Sequence, residues 1–204
     1  MKKLLTILLT LLLALGAMPA LAQPTNEGDF TYSLRDDYAI IEAYTGTDTE
    51  VEIPEMLGGA LVKEIAANSF YKTGIRSIQF PSTLRSIGQN AFCCSALESV
   101  SLPEGFTELA PYAFAASPAL KDVTLPEGMI IVSNMVFGEC SSLACVNPPA
   151  TIRRIETAAF ISCAALTNIT LPEGLIEIED TVFYDCAALK TLTLPVSVKA
   201  IGRD

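Results

Sequence analysis

"LPEGLIEIEDTVFYDCAALKTLTL" runs from Leu171 to Leu194, and its reading decides the fold. Nearly the same string, "LPEGFTELAPYAFAASPALKDVTL", runs from Leu102 to Leu125. The two are displaced by 69 residues, three times 23. Looser copies open at Pro81, Pro126 and Pro149. The Pro81 unit has 22 residues and the next four have 23. Pro195 opens a further unit that stops at Asp204, and Pro54 opens an earlier one stretched by "GGAL". Self-similarity at such a period is the signature of a solenoid, in which each unit buries its apolar face against the next.

Each unit reads the same way physically. An apolar pair, as in "LRSI", "FTEL", "MIIV", "IRRI" and "LIEI", is followed at a fixed step by phenylalanine: Phe70, Phe92, Phe114, Phe137, Phe160 and Phe183. A small or β-branched residue precedes each one, from Ser69 to Val182. The four-residue step from Ile87 to Ala91 predicts one short helical turn facing inward. The unit closes on L-x-x-Φ-x-L, as in "LKDVTL" and "LTNITL", whose alternation predicts a strand buried on one face. The L-P-E-G corner predicts a type I turn with proline second and glycine fourth. One unit cannot bury its Phe and Leu alone, so neighbouring coils must share a core.

The flanks differ. Lys2 and Lys3, the apolar run Leu4–Ala17 and the small residues Ala20–Ala22 form a secretory-signal pattern. Residues 1–22 are therefore expected to be removed on export, leaving no membrane-inserted segment. Residues 23–53 do not repeat. They predict two or three strands joined by turns, an N-terminal β cap for the exposed end of the solenoid. Residues 54–204 hold the repeats, the last incomplete because "PVSVKAIGRD" stops before its Phe. Such an open coil predicts fraying, or self-association through unpaired backbone groups.

Composition narrows the chemistry. Without Lys2 and Lys3 the chain keeps 11 basic and 23 acidic residues, a net charge of −12. That charge repels phosphate backbones and argues against nucleic acid as a partner. The chain has no histidine, which removes the commonest general base and metal ligand together. Cys140, Cys163 and Cys186 stand three residues after their Phe. Cys94 joins them if the 22-residue unit has its gap just before. Stacked parallel thiols do not converge as a disulfide requires, so the expectation is a buried, reduced column. Cysteines 23 apart, without a C-x-x-C, predict no metal site. Glu104, Glu127 and Glu173 recur in the turns, where turn chemistry and solubility account for them better than catalysis. No catalytic residue and no cofactor is expected.

The outward strand positions remain. One column reads Gln79, Ser101, Thr124, Asn147, Thr170 and Thr193; a second reads Ser77, Ser99, Asp122, Cys145, Asn168 and Thr191. Serine and threonine suit any exposed sheet. A solenoid also uses such a face for binding. The candidate binding residues are Gln79, Ser101, Asp122, Thr124, Asn168, Thr170, Thr191 and Thr193.

The units, above all "LTNITLPEGLIEIEDTVFYDC" (Leu166–Cys186) and "FPSTLRSIGQNAF" (Phe80–Phe92), resemble the BspA-like leucine-rich repeats of bacterial secreted and surface proteins. "YTGTDTEVEIPE" (Tyr44–Glu55) resembles the segment that precedes the repeats in that family. The resemblance covers about residues 30–204 and implies a leucine-rich-repeat solenoid of about six coils, mostly β with short helical turns. It also implies an exported, non-catalytic adhesin that binds host matrix proteins, glycans or other cells. The alternatives are a structural repeat segment of a longer surface protein or a carboxylate-based hydrolase.

Overall fold

The computed structural model describes residues 23–203. The signal-peptide expectation for residues 1–22 lies outside them. Among the described residues no helix is long and apolar enough to cross a membrane.

Three strands open the chain: β1 (Thr25–Glu27), β2 (Phe30–Arg35) and β3 (Tyr38–Tyr44). They form an antiparallel meander whose last strand pairs in parallel with β6 (Ala60–Ile65). β4 (Glu50–Glu52) pairs in parallel with β7 (Ser77–Gln79), and the two-residue β5 (Met56–Leu57) folds back on β6.

From there the chain winds in coils, and each coil contributes to three parallel columns. The closing segments L-x-x-Φ-x-L stack as β4, β7, β9 (Ser99–Ser101), β11 (Asp122–Thr124), β13 (Cys145–Val146) and β15 (Asn168–Ile169). β7 and β9 are joined by the Glu98 N–H donating to the Arg76 carbonyl. The apolar pairs stack as β6, β8 (Ser86–Ile87) and β10 (Glu108–Leu109). A separate sheet carries the column on as β12 (Ile131–Val132), β14 (Arg154–Ile155), β16 (Glu177–Ile178) and β17 (Ala200–Ile201). In each strand from β7 to β16 the central or final apolar residue is buried and its neighbours are exposed or half-buried, as the alternation predicts; in β17 both residues are exposed.

The third column holds the phenylalanines. Phe70, Phe92, Phe114, Phe137 and Phe160 have no exposed surface, and Phe183 is half-buried. Their rings form one run of near-parallel stacks from Tyr44 to Phe183, with centroids 4.7–6.0 Å apart. The residues before them, Ala91, Ala113, Val136 and Ala159, are fully buried. Small side chains there admit the next coil.

The expected short helical turn is not a helix; the described residues contain none. Two consecutive turns carry each Phe, and the residues two before and two after it take positive φ. Asn90 (56°) and Cys94 (60°) flank Phe92; Met135 (53°) and Glu139 (63°) flank Phe137. The physical reason is the ladder they make possible. Asn90, Phe92 and Cys94 donate their N–H groups to Pro111, Ala113 and Ala115 of the next coil. A helical turn would spend those donors within its own coil. The proline corner also differs from the expected turn. Phe106 N–H donates to the Pro103 carbonyl, so proline is the first residue and Gly105 the third. With φ of +78° at Gly105, this is the position at which a type II turn favours glycine.

Candidate functional site

All eight candidate residues are exposed: Gln79, Ser101, Asp122, Thr124, Asn168, Thr170, Thr191 and Thr193. Register brings the central ones together. Asp122 lies opposite Ser99 on one side and Cys145 on the other, and Cys145 lies opposite Asn168. Thr124 lies opposite Ser101. Gln79 ends β7, and Thr170 directly follows β15. Thr191 and Thr193 lie outside any strand, because their segment makes no ladder with β15 among the described residues.

The face thus presents hydroxyls and amides on a regular grid, about 4.8 Å between rungs and about 6.8 Å between alternate residues of a strand. Beside it runs an ion ladder. Glu98 meets Arg76 at 3.5 Å and Lys121 at 3.3 Å, across three successive coils. All three side chains are well exposed, so the ladder orders charges more than it stabilises. Such a grid can donate and accept hydrogen bonds along an extended partner.

Several carboxylates act between coils, Glu55 and Glu127 among those of the turns. Glu55 accepts from the Ser82 N–H at 2.8 Å and from the Thr83 hydroxyl at 3.2 Å. The Ser82 N–H holds the Glu55 carboxyl below the usual carboxylate range. Glu127 accepts from the Ala150 N–H at 3.1 Å. On the other side, Glu156 takes the Asn134 N–H and Glu179 takes the Thr157 N–H, each at 3.0 Å. Glu156 and Glu179 are 23 residues apart, a repeat that was visible in the sequence and whose role only the geometry reveals.

The thiol column is Thr73, Ser95, Ser117, Cys140, Cys163 and Cys186, each three after its Phe. Cys94 is not in it. Ser95 is buried and its hydroxyl meets that of Ser117 at 3.0 Å, so the missing residue falls between Ser95 and the buried Leu97. Cys140, Cys163 and Cys186 are buried and unbridged. Each lies with its Sγ 3.1–3.2 Å from a phenylalanine carbonyl oxygen one coil back: Phe114, Phe137 and Phe160. Ser117 does the same to Phe92. Burial pushes the Cys140 thiol up to about 12 and raises Cys163 and Cys186 as well. These thiols are donors in the core, far from the reactive thiolate state.

Among the described residues, no group of three or more metal-ligating side chains converges. A repeat of 22–23 residues, strand columns, a stacked Phe interior and a buried thiol column lie within the span that the BspA type leucine rich repeat region matches, in six copies over residues 44–144 and 132–204. The chain belongs to this BspA-type leucine-rich repeat family. The T. pallidum leucine rich repeat protein is 32% identical with a TM-score of 0.81, and the match covers 88% of this chain and 86% of that one. A leucine-rich repeat protein from Eubacterium ventriosum is 26% identical with a TM-score of 0.76, over 88% of this chain and 48% of that one. One from Bacteroides ovatus shares the fold at 21% identity and a TM-score of 0.63, over 87% and 61%. No curated protein matches the chain.

Proposed function

We propose that this BspA-type protein is an exported, non-catalytic binding protein of the bacterial surface or surroundings. It engages a protein or glycan ligand through the β7–β9–β11–β13–β15 face and takes no cofactor, nucleic acid or membrane as partner. The observation that carries this reading is the in-register grid of exposed Ser101, Asp122, Thr124 and Asn168 on an otherwise structural scaffold. Curved solenoids commonly bind along such faces. Family membership supports it.

The test is binding of the mature chain to a panel of matrix proteins and glycans. A Ser101→Arg/Thr124→Arg/Thr170→Arg variant blocks the face without touching the core. The expected result is a hit that the variant loses at unchanged melting temperature. A hit retained by the variant removes the face from the proposal.

A second reading is a repeat segment working within a longer surface protein. It is favoured by coverage of only 48% and 61% of two solved relatives. Association through the C-terminal coil belongs with it. Tyr184, Leu194, Val196 and Ile201 are exposed there, and the Phe183 and Asp185 N–H groups have no backbone partner among the described residues.

A further inference from the structure

Cys93 and Cys94 take no part in the column of core thiols. They sit at the corner after Phe92, both half-buried, with their sulfurs 3.6 Å apart. In an extended chain successive side chains point to opposite faces. Here the φ of +60° at Cys94 turns the second residue back, and both thiols lie on one side of the corner. The peptide bond between them is clamped from both neighbouring coils. The Lys72 N–H donates to the Cys93 carbonyl at 3.0 Å, and the Cys94 N–H donates to the Ala115 carbonyl at 2.9 Å.

We infer that Cys93 and Cys94 form a reversible dithiol–disulfide site, which closes a ring through their own peptide bond when a small-molecule disulfide oxidises it. The Cys94 thiolate attacks one sulfur of the small disulfide and expels the first small thiolate. Cys93 Sγ then attacks Cys94 Sγ of the mixed disulfide and breaks its bond to the small molecule's sulfur, giving the protein S–S bond and a second small thiolate. Two protein thiols are oxidised, one small disulfide is reduced, and the two thiol protons leave on the two small thiols. Cys93 is the second actor because burial, with Cys94 beside it, pushes its thiol up to about 11.

Adjacent Cα atoms across a trans peptide are about 3.8 Å apart, below the usual disulfide range of about 4.4–6.8 Å. The ring is therefore strained and opens readily, as labile disulfides do. Closure also pulls on the clamped peptide, so the Lys72 and Cys94 amides should exchange faster in the oxidised form.

The experiment equilibrates the folded chain with excess oxidised glutathione, traps with a maleimide and digests with trypsin. Residues 86–121 hold these two cysteines and no other. The expected product is this peptide two hydrogens lighter and unlabelled, restored by excess reduced glutathione while the fold persists. Two labelled thiols, a lasting glutathione adduct, a covalent dimer, or a ring that resists reduced glutathione each overturn the proposal. A Cys94→Ser variant should lose no hydrogens at this peptide; if it does, the assignment of the pair is wrong.

Discussion

Replacing Phe137 with alanine tests the load carried by the ring column. Phe137 has no exposed surface and lies between Phe114 at 6.0 Å and Phe160 at 5.7 Å. Burying and then deleting such a side chain costs about 3–5 kcal/mol by lost transfer energy and the cavity left behind. Its two stacked contacts place it toward the upper end, since aromatic pairs add about 0.5–1.5 kcal/mol each beyond area. Phe183 provides the internal comparison. It is half-buried and has one stacking neighbour, Phe160 at 5.8 Å. Phe183→Ala should cost about half as much or less by the same accounting. A chain of this size shifts its melting temperature by about 2–4 °C per kcal/mol. Phe137→Ala should therefore lower it by about 10–20 °C for a loss near 5 kcal/mol. Urea titration followed by circular dichroism measures the free energy, and hydrogen exchange shows where the stack parts. The break should fall between the Phe114 and Phe160 coils, because each coil contacts only its neighbours. Equal losses for Phe137→Ala and Phe183→Ala would refute the reasoning.

The thiol column makes stability pH-dependent on the alkaline side. Folded Cys140 titrates near 12 against an ordinary 9.0, so its contribution is complete below pH 9 and is lost as pH rises toward 12. Inside that window the Cys140 thiol costs up to about 1.4 kcal/mol per pH unit, burial raises Cys163 and Cys186 in the same direction, and a Cys140→Ser/Cys163→Ser/Cys186→Ser variant should flatten the urea midpoint between pH 9 and 11. Because Ser117 already fills the equivalent position, Cys163→Ser alone should cost about 1 kcal/mol or less at pH 7. At pH 8 a thiol reagent should leave Cys140, Cys163 and Cys186 untouched in the folded chain and label all three in denaturant; rapid folded-state labelling of Cys163 would contradict its burial. Thr181, β-branched at φ +55°, stands where Asn68 and Asn90 stand in earlier coils; Thr181→Asn should stabilise by about 1 kcal/mol, measured by thermal and urea unfolding.

The period and the Phe column were legible because repetition multiplies a weak signal. Any one Phe is uninformative, but six at 22–23-residue steps select residues that must occupy the same place in each coil. The outward strand residues were legible for the same reason: Val123 is buried, so Asp122 and Thr124 beside it face out. The 22-residue unit was read wrongly where the period itself failed. "FCCS" offers two registers for its gap, and only the Ser95–Ser117 contact selects one. The Cys93–Cys94 juxtaposition was hidden likewise, since sequence adjacency does not say that two side chains share a side.

The corner after each Phe shows why local chemistry could not reveal the rest. Left-handed residues are normally announced by glycine or asparagine. Here Met135, Ala158 and Thr181 adopt that conformation with no such announcement. What holds them is the neighbour. The Met135, Phe137 and Glu139 N–H groups reach Thr157, Ala159 and Ile161, and the same triple recurs from coil to coil. A ladder of three bonds per interface outweighs about 1–2 kcal/mol of strain per residue only when the next coil is in place. The strained corner and the stack are thus mutually dependent, and a single coil cut from the chain should lose its left-handed residues first. That ties the conformation of every corner to the count of coils around it, a property that no window of 23 residues contains.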